Sequence, residues 1–443
     1  MKVCLIMPPM PFGKAPIAPL TLEYLAALTK RTMPDAEIQL VDGNFSSFSP
    51  KDIDADLVGI SCKTSTATWG YKLADALRKM GIHVVLGGIH PTALPLEAKA
   101  HADSVVVGEA ESVWSEVLHD AQRESLKSFY YGEPLPLDNV PFPLKGLTNH
   151  PYRISVIFTV RGCPYRCSFC SSRKFFGDTI RYRPIKDVVE EIETCQGSIY
   201  LNADENIWVG NIQRAIDLFS ALKGSKKKWF GYGDLQAVQT PLGHKLLKSA
   251  KDSGLISLWV GWETFSDEGL KAYCAAEKMG RNREDAVKMV KDYGIDITLS
   301  VMLGGRADTL DDFDRTVEVA DRLGVNVHPA LLVPYPGTDL YQEYKPFLFK
   351  DKGWEFYDGA HAVFEHPLPE MSPEAREEKF YRVSLKLLSL KKLFGHLFDI
   401  PLTGFPTTHL ASLMRQLPVR RGMKIAYQEW QMRVKTIADG KSV

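Results

Sequence analysis

Short apolar runs recur along the first 118 positions: VCLIM, AEIQLVD, ADLVGISC, HVVLGG and DSVVVGE. Between them lie longer segments whose apolar residues return every three or four positions, such as TLEYLAALTKR and ATWGYKLADALRKMG. The runs predict buried strands, and the slower period predicts amphipathic helices. Five strands alternating with helices predict a doubly wound, Rossmann-like parallel sheet. Ligands of such sheets bind beyond the C-terminal strand ends. Those ends read MPPMPFG, VDGN, SCKTST, GGIHPT and GEAE. Small and polar, they suit ordinary turns as well as a ligand face. Gly87-Gly88 before His90-Pro91 is the most suggestive, because adjacent glycines let backbone approach a flat ligand. The three-glycine dinucleotide fingerprint follows none of these strands.

Residues 119–150 are polar and proline-rich (GEPLPLDNVPFPLKG), which predicts a linker. A second alternation begins at residue 151. Its strand candidates are RISVIFTV, SIYLNAD, KWFGYGD, ISLWVGWE, DITLSVML and NVHPALLVP, separated by helical patterns that often end in glycine. Six such repeats predict a partial (β/α)6 barrel, whose site lies where the strands end. Beyond residue 345 come aromatics (Trp354, Phe356, Tyr357, Phe364) and the amphipathic EAREEKFYRVSLKLLSLKKLF, while the tail from Thr403 has no clear motif. The α/β chain thus divides into a Rossmann-like domain with the start of the linker (1–135), a barrel (136–345) and a mostly helical C-terminal region capping it (346–443).

Charge narrows the function. The 443 residues hold 54 Lys plus Arg and 54 Asp plus Glu, so no broad field favours nucleic acid or anionic membrane. MKVCLIMPP reads as a strand rather than a signal peptide, and no apolar run approaches the roughly 18–20 residues of a membrane span. The seven cysteines are odd in number and partly scattered, which argues against a disulfide framework and for a reducing cytoplasm. Cys4 and Cys62 fall in or at the end of strands, Cys195 closes a helix, and Cys274 follows Tyr273; none calls for chemistry.

The other three carry the chemistry. RGCPYRCSFCSSR places Cys163, Cys167 and Cys170 after the first barrel strand with spacing C-x3-C-x2-C. Three thiolates suit zinc or an iron–sulfur cluster. A closed zinc site needs four ligands, and no further Cys or His lies between Pro151 and Thr194. A cubane with three protein thiolates leaves one iron for an exogenous ligand.

This motif, after the first strand of a six-fold βα domain, resembles the radical S-adenosylmethionine (SAM) superfamily. The first 118 residues, through VVLGGIHPT and ADSVVVGEAE, and the later LLVPYPGTDLYQEY resemble the subgroup in which a cobalamin-binding domain precedes the barrel. The resemblance implies that Cys163, Cys167 and Cys170 bind a 4Fe–4S cluster whose open iron takes SAM. It places Phe169 against the adenine. Asp204, Glu205 and Asn206, in NADEN, would receive the methionine end of SAM, and Glu263 the ribose hydroxyls. Each acid also suits a helix cap. GGRADT departs from the subgroup's usual turn, although Gly304 and Gly305 keep backbone accessible. In the cobalamin domain Asn44 stands where many relatives carry a cobalt-binding histidine, so no lower ligand is expected from that loop. Ser61, Thr64 and Ser65, with Gly87, Gly88, His90, Gly108 and Glu109, are the candidate cobalamin contacts.

The implied activity is methyl transfer to an unactivated carbon of a lipid-like, tetrapyrrole or natural-product substrate, through a 5′-deoxyadenosyl radical and methylcobalamin. The alternative is a cyclase, ring-rearranging or oxidising enzyme without methyl transfer. A tRNA methylthiotransferase is disfavoured because it needs more N-terminal cysteines and a basic tail. The implied reductant is a flavodoxin or ferredoxin. His361 and His366 are weak candidates for a general base, and no catalytic residue is assigned.

Overall fold

The computed structural model describes residues 1–11, 17–148, 150, 152–275, 282–389 and 407–438. Positions 12–13 of the first loop, 390–394 of the amphipathic segment and 403–406 of the tail lie outside them.

The first sheet is parallel. Its strands are β1 (Lys2–Met7), β2 (Glu37–Asp42), β3 (Leu57–Ser61), β4 (His83–Gly87), β5 (Ser104–Gly108) and β6 (Phe129–Gly132), in the order β2-β1-β3-β4-β5-β6. Alternation along β1 explains the double winding. Val3 and Leu5 join one core with helices Leu20–Thr32 and Trp114–Gln122. Cys4 and Ile6 join another with helices Ala67–Lys79 and Pro95–His101. The expectation of five strands is corrected by β6, which pairs with β5 from Val105↔Phe129 to Gly108↔Gly132. It falls within the predicted linker because FYYG is short, has no apolar run and is followed by prolines.

The second sheet realises all six predicted strands. These are β7 (Ile154–Ile157), β10 (Ile199–Asn202), β11 (Lys228–Gly233), β12 (Leu255–Glu263), β13 (Asp296–Leu303) and β14 (Asn326–Leu331). They are parallel and spatially consecutive, and the sheet stays open between β7 and β14. Leu258, Val260 and Trp262 of β12, with Ile297, Leu299 and Val301 of β13, pack outward against the helices. A two-stranded antiparallel ribbon, β8 (Val160–Arg161) with β9 (Arg181–Tyr182), frames the cysteine loop.

The described part of the C-terminal region holds two long helices. One helix runs Pro373–Leu387 and another Thr407–Ala438. The aromatic stretch before them is built of short turns, and it reaches back to the first domain. There Trp354 donates to Glu97 (2.8 Å) and Thr68 to Glu355 (2.7 Å). A pocket of about 510 Å³ opens at this junction, between Thr68 and residues 341–357. No described helix is long and apolar enough to cross a membrane.

Candidate functional site

The cysteine loop begins at Gly162, whose φ of 91° lets the chain turn; a Cβ there would lie 2.2 Å from the Thr179 carbonyl oxygen. Two remote segments then hold the loop by its middle. The Ser168 N–H donates to the Tyr273 carbonyl (3.0 Å), and the Ser168 carbonyl accepts from Leu340 N–H (2.9 Å). Cys167 is buried in an apolar cluster with Leu270, Tyr273 and Leu340. Phe169 meets Tyr273 edge to face at 6.1 Å. Among the described residues no group of three or more Cys, His, Asp or Glu side chains is gathered closely enough to hold a metal ion. The loop's fitness for a cluster therefore rests on its spacing, its position at the end of β7 and its rigid mounting.

The acids predicted at the end of β10 divide in role. Asp204 is buried and accepts from Thr159 N–H (2.5 Å), the Thr159 hydroxyl (2.6 Å) and Val160 N–H (3.0 Å). Burial raises its pKa against these bonds, which lower it. Its carboxylate orients the entry to the cysteine loop. Glu205 lies against Ser172, in the helix that follows Cys170, and its acid is likewise pushed up by burial. Asn206 donates to Asp234, whose other oxygen caps Ala237 N–H (2.7 Å). Asp234, at the end of β11, also accepts from Tyr165 of the cysteine loop (3.4 Å). The sequence reading passed over Asp234, since only the three-dimensional neighbourhood of Tyr165 marks it.

Glu263 ends β12 with a φ of 66°, beside a register shift against β13. A glutamate in left-handed backbone is strained, and such strain gathers at functional sites. The turn after β13 is clamped from both sides. Gly304 has a φ of 77°. The Gly305 N–H donates to Asp308 (2.9 Å), and its carbonyl accepts from His366 Nε2 (2.9 Å). His366 is thereby a satisfied, largely buried histidine whose pKa burial lowers. His361 pairs with Asp358 (2.9 Å).

At the end of the first sheet, Gly88 has a φ of 95°, and a Cβ there would lie 2.8 Å from the Cys62 carbonyl oxygen. A Cβ on Gly108 would lie 2.6 Å from Gly132 O. Side-chain-free backbone thus paves the strand ends where a flat macrocycle is expected. Ser61 ends β3 and Thr64 and Ser65 follow it, beside the point where strand order reverses between β1 and β3. Lys63, missed in the sequence, lies among them; solvent reaches it, yet desolvation by surrounding protein lowers its ammonium's pKa. His90 is fully buried between Thr64 (3.4 Å) and Glu97 (3.3 Å). Asn44 is buried too, accepting from Met10 N–H (2.8 Å) and donating to Asp42 (2.8 Å).

Glu109 is drawn toward the barrel. Its carboxylate pairs with Arg161 and Arg181, and Arg161 also pairs with Glu111 (2.6 Å). Both Glu109 oxygens are therefore engaged by the barrel. The knot joins the end of β5 to the residues just before Cys163, so the C-terminal ends of the two sheets abut.

The chain matches the B12 binding domain over residues 15–118 and the radical SAM superfamily over residues 157–320. It is 30% identical to the bacteriochlorophyllide d C-8(2)-methyltransferase of Chlorobaculum tepidum, over 78% of this chain and 81% of that protein. The chain belongs to the cobalamin-dependent radical SAM enzymes. The enzyme is also 23% identical to the anaerobic magnesium-protoporphyrin IX monomethyl ester cyclase of Cereibacter sphaeroides, over 85% of this chain and 67% of that one. In fold it is similar to the methyltransferase TsrM from Kitasatospora setae, solved with cobalamin and a 4Fe–4S cluster bound. The TM-score is 0.67 at 15% identity, covering 96% of this chain and 99% of that one. Cluster, SAM and cobalamin are the cofactors of this enzyme.

Proposed function

We propose that this enzyme transfers a methyl group to an unactivated carbon of a tetrapyrrole-type substrate. The supporting observation is the Glu109–Arg161–Arg181 knot, which ties the cobalamin sheet to the mouth of the cysteine loop and so sets the two cofactor faces against each other. The substrate class rests on the bacteriochlorophyllide methyltransferase and the magnesium-protoporphyrin cyclase that the chain resembles.

In this reading Cys163, Cys167 and Cys170 hold three irons, and the fourth is left to SAM. When bound, the cofactors supply one-electron cleavage of SAM's sulfonium and delivery of a methyl group. Phe169 stacks the adenine, Glu205 and Asn206 receive the methionine end, Glu263 the ribose, and the Gly304 backbone the adenosyl side. Asp204 holds the loop entry in register with them. Ser61, Thr64, Ser65, Gly87, Gly88 and Gly108 line the corrin, with His90 behind them. Tyr273, Leu332 and Val333 wall the cysteine loop against water. The electron comes from a flavodoxin or ferredoxin, in the cytoplasm.

The 23% likeness to a cyclase keeps a second reading in view: oxidative ring closure without methyl transfer. The test is anaerobic reconstitution with iron, sulfide and hydroxocobalamin, reduction, and turnover with a magnesium chlorin. Methyl transfer yields S-adenosylhomocysteine and 5′-deoxyadenosine together. Formation of 5′-deoxyadenosine alone would overturn the proposal in favour of the cyclase.

A further inference from the structure

The open barrel has a second face that none of the described cofactor loops uses. Strand alternation turns Leu258, Val260 and Trp262 outward, and so turns Trp259 and Gly261 inward. The same register carries Tyr232, Thr298 and Asn326 beside Trp259, in one row across four strands. The next row is Gly261, Ser300 and His328. The rings meet: Trp259 lies 5.9 Å from Tyr232 and 5.5 Å from His328. Tyr232 remains 40% exposed, and His328 is exposed. An inward strand face in a packed barrel is ordinarily filled by branched aliphatics. Here it is an aromatic floor with an imidazole beside it, and Gly261 adds no side chain above the indole. The Thr298 hydroxyl, buried in the same row, makes no hydrogen bond.

We infer that this face is the substrate platform, with Trp259 and Tyr232 supporting a planar tetrapyrrole and His328 offering a ring nitrogen to its central metal. The inference rests on the tetrapyrrole reading above and deepens it. Aromatic side chains pair with flat conjugated rings by offset stacking, which selects shape over polarity. A neutral imidazole is a common ligand for divalent metals, and it marks one side of the macrocycle. Together they fix the plane and the facing of the substrate, and so which peripheral carbon is presented for reaction.

Zinc protoporphyrin IX tests this in the reconstituted holoenzyme, because its absorption shifts when a fifth ligand binds and its approach quenches tryptophan emission. The wild type should show both signals. Trp259→Leu should weaken binding at least tenfold, while Trp259→Phe restores most of it. His328→Ala should abolish the fifth-ligand shift while quenching persists, and His328→Gln should not restore the shift. Unaltered cobalamin and cluster absorption certifies that each variant is folded. Absence of porphyrin binding, or binding indifferent to both positions, would overturn the platform. These outcomes are separable from failure of the methyltransferase reading, which is decided by S-adenosylhomocysteine: an enzyme making it from SAM and a chlorin without these binding signals keeps its activity and loses this platform.

Discussion

Asp308 is a buried carboxyl with no basic partner among the described ion pairs, and its pKa is raised to about 7, chiefly by desolvation. The nearby Asp312 adds to the rise, and bonds from the Gly305 and Gly304 backbone oppose it. The consequence has a definite sign. Between the unfolded value near 4 and the folded value near 7, the native state holds the proton more tightly, so stability falls as pH rises through that window. One pKa unit corresponds to about 1.4 kcal/mol, which bounds the effect on the order of 4 kcal/mol. Asp308→Asn should therefore flatten the decline in melting temperature between pH 4 and pH 7, whatever its effect on absolute stability. Parallel wild-type and variant slopes across that range would show that Asp308 does not titrate there. This residue illustrates what sequence hides: the acid in GGRADT is plain, but its burial beneath Tyr273 and the cap is set by segments far away in the chain. Cys163, Cys167 and Cys170 stand out in the sequence because their signal is local spacing. Asp234, Lys63 and His328 do not, because theirs lies in neighbours from other strands.

At the scale of elements, the six barrel strands were legible because each is an apolar run bounded by helix stops. Strand β6 was not, since four residues rich in tyrosine carry no period. The small helix Asp339–Tyr344 shows how a short element governs chemistry. Thr338 caps it by accepting from Tyr341 N–H (3.1 Å), and its buried Leu340 sends the backbone bond that holds Ser168 in the cysteine loop. Loss of such a cap costs about 1 kcal/mol. Thr338→Ala should lower stability by about that amount and loosen the loop, so that cluster absorbance bleaches faster in air than in the wild type. Thr338→Ser keeps the oxygen and should bleach at the wild-type rate. If all three proteins bleach alike, the helix does not steady the loop.

For the whole molecule, domain order was legible from the two successive alternations, but the docking of the domains was not. Glu109 lay in a strand-end turn that suggested a cofactor contact, and only the fold shows that two arginines from the barrel reach it. Arg161, beside Phe158 (4.5 Å), Phe176 (5.4 Å) and Tyr24 (5.7 Å), is too enclosed to find water instead. Removing one member of a buried pair leaves an uncompensated charge and costs about 3–5 kcal/mol. Arg161 retains Glu111, whereas Arg181 has no second carboxylate among its described ion pairs. Glu109→Gln should therefore loosen the domains at the Arg181 side without touching either cofactor's ligands. Cluster and cobalamin absorption should stay unchanged, while proteolysis of the segment 133–150 accelerates several-fold and methylated product per 5′-deoxyadenosine falls. Radical generation needs only the barrel, but methyl delivery needs both faces held together. Were proteolysis and product ratio both to match the wild type, the knot would not be what sets the cobalamin domain against the cysteine loop.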